Sequence, residues 1–250
     1  MIEYSGMKKD RISAADKIIV ALDVHDHNYA IELVEKFKDY VSIFKVGLEL
    51  FISSGPKIID DINKKNKKVF LDLKFHDIPN TVTKAALAAT RLGVYMFNVH
   101  TSGGIEMMKR CRDKIVEVCL KENIEKPKML GVTVLTSLTR EIITDELGIR
   151  HGLRTQVKHL SGLALKAGLD GVITSVKEAE IVRNHCGRGF LIITPGIRPS
   201  WTPPDDQQRT ATPKEAIRAG ADYLVVGRAI LQQADPINAI ELIILEILSA

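Results

Sequence analysis

Lys68-Val-Phe-Leu-Asp-Leu-Lys74, continued by Phe75-His76-Asp77-Ile-Pro-Asn-Thr81, is the stretch on which the fold reading turns. Its β-branched and aromatic residues are bounded by lysines on one side and a proline on the other, and it is too short for a buried helix, so it reads as a strand. Alternate side chains of a strand point to opposite faces, so Asp72 and Lys74 share one face and Leu73 takes the other. Charges inside a buried strand are costly unless paired. This strand therefore demands an explanation for its polar end.

Similar runs recur on both sides of it. Lys17–Asp23 and Ser42–Gly47 precede it, as strands 1 and 2. Tyr95–His100, Met129–Leu135, Gly171–Thr174, Phe190–Thr194 and Tyr223–Val226 follow, as strands 4 to 8. Helical stretches lie between them; Tyr29–Lys38, for example, carries apolar residues at i, i+3 and i+4. Alternating strands and helices imply parallel pairing through right-handed crossovers. Eight such units close most naturally into a (β/α)8 barrel, an α/β fold of about this length. No linker or change of composition divides the chain, so residues 16–250 are expected to form one barrel domain, with residues 1–15 a loose lead-in. The irregular stretches Ser137–Arg154 and Pro195–Pro213 are long enough to be gripping loops or lids.

The 250 residues carry a net charge of +4, with 45% apolar and 26% charged residues, an ordinary soluble globular balance. The densest basic run, Lys64, Lys65, Lys67 and Lys68, has no interleaved aromatics and reads as a solvated loop or helix end, not a nucleic-acid surface. Cys111, Cys119 and Cys186 are odd in number and lack C-x-x-C spacing, which excludes a disulfide framework. With no N-terminal apolar leader and no apolar run of about 18 residues, the expected home is the cytosol, away from membranes.

A barrel of this kind places its working residues at the C-terminal ends of its strands. Asp23 ends strand 1, Lys45 lies on strand 2, and Asp72 and Lys74 end strand 3. His100 ends strand 4 and reads either as a satisfied core histidine or as a group supporting the site from behind, while strand 5 runs into Thr136 and Ser137. Interleaved lysines compete with Mg²⁺ for the carboxylates, and no H-x-H or H-E-x-x-H spacing supports zinc, so no metal is expected. Thr194-Pro-Gly-Ile-Arg198 follows strand 7 and Val226-Gly-Arg228 follows strand 8. Loops in those two places commonly grip phosphate, glycine admitting the anion and arginine adding a bidentate fork.

These residues resemble the orotidine 5′-phosphate decarboxylase family in its bacterial form, from Ile18 to about Leu231. Asp72-x-Lys74-x-x-Asp77 alone also occurs in related sugar-phosphate decarboxylases. The continuation Ile78-Pro-Asn-Thr81 and the loop Leu191-Ile-Ile-Thr-Pro-Gly-Ile-Arg-Pro199 narrow the resemblance. Phe44-Lys-Val-Gly47, Gly168-Leu-Asp-Gly-Val-Ile-Thr-Ser175 and Asp206-Gln-x-Arg209 add to it.

The resemblance implies cofactor-free decarboxylation of orotidine 5′-phosphate to UMP, the last step of UMP synthesis, with Lys74 as the acid. It implies a catalytic array of Lys45, Asp72, Lys74 and Asp77, with Asp77 and Thr81 completing the partner's site in a homodimer. Asp23 and Lys45 are expected at the ribose, and Thr136 and Ser137 near the pyrimidine. Pro195, Arg198, Gln207, Gly227 and Arg228 are expected on the phosphate side, the loop of Gln207 acting as a lid. Two other readings remain open: a metal-dependent sugar-phosphate decarboxylase or aldolase on the same barrel, and a nucleotide-binding module without activity.

Overall fold

Each expected run becomes a strand, and their register ties them into a ring. The computed structural model describes residues 10–202 and 210–250. Strands β1 (Ile18–Ala21), β2 (Ile43–Gly47), β3 (Lys68–Phe75) and β4 (Met96–His100) are followed by β5 (Lys128–Val132), β6 (Gly171–Ile173), β7 (Leu191–Thr194) and β8 (Tyr223–Val226). Each pairs in parallel with its sequence neighbour, and β8 returns to β1 to close the barrel.

The helices lie outside, each between successive strands. They are α1 (His27–Phe37), α2 (Leu48–Ser54), α3 (Lys57–Asn63), α4 (Pro79–Arg91), α5 (Gly104–Glu122), α6 (Leu153–Ala167), α7 (Val176–Cys186), α8 (Pro213–Arg218), α9 (Arg228–Leu231) and α10 (Pro236–Leu248). In α1, Asp26 caps the start by accepting from the Tyr29 N–H. Ala30, Leu33, Val34 and Phe37 then form its buried stripe at i, i+3, i+4 and i+7. Phe37, Phe44 and Phe97 are among the largest fully buried side chains, and burying each stabilises the fold by roughly 1.5–3 kcal/mol.

A second core fills the barrel itself. Ile19, Ala21, Ile43, Phe70, Met96, Leu130, Ile193 and Val225 meet inside it. At the N-terminal end of the strands the Tyr95 and Tyr223 hydroxyls lie 3.4 Å apart, and the Lys68 Nζ sits 4.5 Å from the Tyr95 ring. The inward phase sets what appears at the opposite mouth. Two residues beyond Ile43 comes Lys45, two beyond Phe70 comes Asp72, and beyond Met96 come Asn98 and His100. Burial below and charge above thus follow from one period-2 pattern.

Some boundaries differ from expectation. Several apolar runs extend past their strands: Leu22 and Asp23 leave β1, and Val134 and Leu135 leave β5 to line the mouth. The lead-in is not loose throughout. Residues 10–15 are helical, Ala14 is buried, and Arg11 pairs with Glu241 of α10 at 3.2 Å. Residues 137–154 include a π-helical turn, Ile142–Glu146, before α6 begins. Lys64 and Lys65 pair with Asp60 and Glu35, which makes the basic run a solvated helix end. Among the described residues no helix is long and apolar enough to cross a membrane.

At Gly171 the barrel wall leaves no room for a side chain, because a Cβ there would come 2.3 Å from the Leu191 carbonyl oxygen of β7. Gly171→Ala is expected to lower stability by roughly 1–3 kcal/mol through overpacking against main chain. The shift of the urea unfolding midpoint measures it.

Candidate active site

Four charges form a chain across three strand ends. Asp23 accepts from the Lys45 Nζ at 2.8 Å, and the same ammonium stands 3.5 Å from the Asp72 Oδ2. The other oxygen of Asp72, Oδ1, lies 2.7 Å from the Lys74 Nζ. Lys45 and Asp72 are almost wholly enclosed, with side-chain exposures of 10% and 13%, whereas Asp23 remains 56% exposed. Signs alternate along the chain, so each buried charge meets an opposite one.

The strand that carries Asp72 and Lys74 does not run regularly to its end. Leu71 lies opposite Phe97 of β4, but Phe75 lies opposite Val99. Three residues of β3, Asp72, Leu73 and Lys74, therefore face the single residue Asn98. Lys74 takes up the slack with a φ of 51°, a left-handed conformation that costs a non-glycine residue roughly 1–2 kcal/mol. Both charged side chains still reach the mouth and Leu73 still packs toward the helices, but through a bulge and not through simple alternation.

Electrostatics keep Asp72 and Lys45 charged. Burial is the largest influence on Asp72 and opposes its charge. Lys45 and Lys74, with hydrogen bonds from Lys74 and Asn98, outweigh it and hold the carboxyl below its ordinary 3.8. Burial likewise opposes the charge of Lys45, and Asp72 and Asp23 together reverse it, raising that ammonium above its ordinary 10.5. His100 goes the other way, lowered by burial and then by His76 and Lys74. It is half-buried, its ring centroid 5.3 Å from that of His76, and it stands outside the cavity lining.

The chain opens into a cavity of about 430 Å³, the size of a small-molecule site. Asp23, Lys45, Asp72 and Lys74 line one side, and Pro195, Arg198, Gly227 and Arg228 line another. The loop after β7 is pinned where Arg198 donates its backbone N–H to the Ala211 carbonyl at 2.8 Å. At Gly227 a Cβ would stand 3.1 Å from the Asp23 Oδ2, so glycine lets β8 approach β1 at the mouth. Thr136 lines the cavity; Ser137 is exposed and does not. Asp77 and Thr81 are exposed and outside the lining, and Asp77 accepts from the Ile78 N–H at 2.6 Å. Gln207 lies outside the described residues.

Sequence reasoning missed several residues. Thr174, Thr202, Gln232 and Gln233 also line the cavity. Asn98, fully buried behind the array, gives its Nδ2 hydrogen to the Asp72 Oδ1 at 2.6 Å and accepts from the Lys74 N–H at 2.7 Å. A signal for it existed, since a polar amide falls in the inward phase of an otherwise apolar strand. Among the described residues no group of three or more His, Cys, Asp or Glu could hold a metal ion.

A closed parallel barrel whose charged chain and glycine–arginine loops meet at the C-terminal mouth is the plan of a (β/α)8-barrel enzyme. Residues 16–243 match the model of the "Orotidine 5′-phosphate decarboxylase / HUMPS family". The orotidine 5′-phosphate decarboxylase of Trichlorobacter lovleyi is 49% identical over 239 residues, covering 96% of this chain and 98% of that one. That of Moorella thermoacetica is 46% identical over 237 residues, covering 95% and 94%. Among solved structures, orotidine 5′-phosphate decarboxylase from Lactobacillus acidophilus superposes with a TM-score of 0.81 at 36% identity, over 93% of this chain and 99% of that one. The chain belongs to the orotidine 5′-phosphate decarboxylase / HUMPS family.

Because the Asp72 carboxyl titrates below its unfolded value, the stability it contributes is complete above pH 3.8 and is lost as the pH falls through its native pKa. Asp72→Asn leaves two lysines without their shared carboxylate, which is expected to cost roughly 3–5 kcal/mol at about pH 7. Urea unfolding at stepped pH is expected to show this gap narrowing once the pH drops below 3.8.

Proposed function

We propose that this chain converts orotidine 5′-phosphate to UMP and CO2 in pyrimidine biosynthesis, without a cofactor, through a C6 carbanion protonated by Lys74. Family membership supports the substrate and the reaction class. The observation that carries the residue roles is the unbroken chain Asp23–Lys45–Asp72–Lys74, opening into the cavity that Arg198 and Arg228 also line.

The chemistry explains why such a chain suits the reaction. When the C6–carboxylate bond breaks, CO2 leaves and the electron pair stays on C6, where the pyrimidine offers no adjacent sink. Stabilisation must then come from fixed charge. The Lys74 ammonium supplies it, donates a proton to C6, and regains one from solvent after product leaves. At about 4 Å and an effective dielectric near 20, one ammonium is worth roughly 4 kcal/mol. The remainder is drawn from binding the parts of the substrate that do not react. Arg198, Arg228, Pro195 and Gly227 hold the phosphate in this reading, with Gln207 on the closing loop. Asp23 and Lys45 hold the ribose hydroxyls, and Thr136 and Ser137 the pyrimidine. Asp72 keeps Lys45 charged and both lysines aimed.

Asp77 and Thr81 complete the site of a second copy. Both are exposed, and exposed apolar side chains fall on the same run of consecutive βα units: Leu48 and Ile52 of α2, Ile78 ahead of α4, and Ile105 at the start of α5. Exposed apolar side chains on the units that carry Asp77 and Thr81 suit a self-complementary dimer interface.

Lys74→Ala is expected to abolish loss of orotidine 5′-phosphate absorbance while UMP still binds, and near-normal turnover would remove Lys74 from its role. EDTA is expected to leave wild-type turnover unchanged, whereas inhibition would favour a metal-dependent barrel enzyme. Mixing Lys74→Ala with Asp77→Ala chains is expected to restore activity through heterodimers with one intact site. A mixture as inactive as its parts would contradict the shared site.

A further inference from the structure

We propose that Asn98 is a positioning residue for the reaction, its buried amide fixing the Lys74 main chain and the Asp72 carboxylate in one relation so that the Lys74 ammonium enters the cavity in a single geometry. The proposal rests on the reading of Lys74 as the proton donor. It assigns a role to a residue that does not itself line the cavity.

The bonds form a closed ring. The Lys74 N–H donates to the Asn98 Oδ1 at 2.7 Å, and the Asn98 Nδ2 donates to the Asp72 Oδ1 at 2.6 Å. That same Oδ1 receives the Lys74 Nζ at 2.7 Å. Backbone and side-chain ends of one lysine are therefore tied to one another through a carboxylate and an amide. The β3 bulge sets three residues against Asn98 alone, so a side-chain carbonyl accepts from Lys74 where the register of the ladder slips. Lys74 sits there at a φ of 51°, a conformation that persists only where its surroundings over-determine it.

The residue type is also specified. An amide presents one acceptor and one donor group on the same short stem, and the two partners fix its orientation. Turned over, it would set its carbonyl against the carboxylate and its NH2 against the Lys74 N–H. Aspartate supplies the acceptor but opposes Asp72 with a second carboxylate. Alanine leaves a buried N–H without an acceptor. A role confined to packing needs neither property, and Met96, in the same inward phase of β4, shows that an apolar side chain fits that face.

Asn98→Asp and Asn98→Ala, each purified and assayed with orotidine 5′-phosphate, test the proposal. Both are expected to lose kcat by on the order of 100-fold, the scale of an ångström-sized misplacement of a catalytic group. UMP affinity is expected to stay within about threefold of wild type, since binding does not require a placed proton donor. In Asn98→Asp, the introduced carboxyl faces Asp72, with Lys45, Lys74, His100 and His76 around the pair. On acidification two such carboxyls share a proton. That proton restores a donor between them and leaves a single negative charge, as in wild type. The kcat of Asn98→Asp relative to wild type is therefore expected to rise as the pH is lowered, with no such rise in Asn98→Ala.

A folded variant with kcat within about threefold of wild type, or a loss confined to KM, overturns the proposal. So does an identical pH dependence for the two variants. Should neither fold, hydrogen exchange of the wild-type Lys74 amide decides: protection comparable to the barrel strands supports the bond, and exchange as fast as an exposed loop overturns it. A wild-type chain that protects this amide yet leaves orotidine 5′-phosphate untouched would fault the assigned reaction and not the Asn98 geometry.

Discussion

A single enclosed carboxylate, that of Asp72, governs the geometry of the site. It stands within salt-bridge distance of Lys45 and Lys74 and accepts the amide of Asn98, so three neighbours are oriented by one group. Burial alone would drive the Asp72 carboxylate and the Lys45 ammonium toward neutrality, and their opposite charges outweigh it. Neither sign survives in the barrel mouth alone. The array is stable as a set, and that interdependence orients the Lys74 ammonium beside the cavity.

The barrel makes this possible because its wall has two faces with different duties. Outward residues such as Phe44 and Phe97 lock each strand to the helices. Inward residues pass from apolar at the centre to charged at the C-terminal end, so strand position determines depth in the site. The strain at Lys74 is placed where the wall is thickest in partners. A left-handed lysine is tolerable because main chain, amide and carboxylate all hold it. In the loops that carry Arg198 and Arg228, Gly196 takes a φ of 74° and Gly227 leaves room beside Asp23.

Much of this was legible in the sequence. Strands as short as Gly171–Ile173 could be placed because β-branched residues recur between helical stretches, and their count selected a closed ring over an open sheet. Lys45, Asp72 and Lys74 were legible too, since charge in a buried strand has few explanations, whereas Asp77, expected in the same array, lies outside the cavity lining of one chain. What escaped was set by tertiary geometry. The bulge in β3 depends on the register with β4, which no local pattern reports, and Asn98 gains its meaning only opposite that bulge. The helical turn at 10–15 buries Ala14 and sets Arg11 against Glu241 of α10, long-range contacts that no local pattern reports. Ser137 is exposed and outside the cavity lining although its neighbour Thr136 lines it, a one-residue distinction that loop sequence does not carry.

The central claim is that Lys74 is the acid that serves C6, and a crystal structure with UMP bound tests it most directly. The account predicts the Lys74 Nζ within about 3.5 Å of C6, close enough for proton transfer. It also predicts Arg198 and Arg228 on the phosphate, with Asp77 arriving from a second copy. A pyrimidine ring seated with C6 farther than about 5 Å from that ammonium, or facing a different acid, would contradict it.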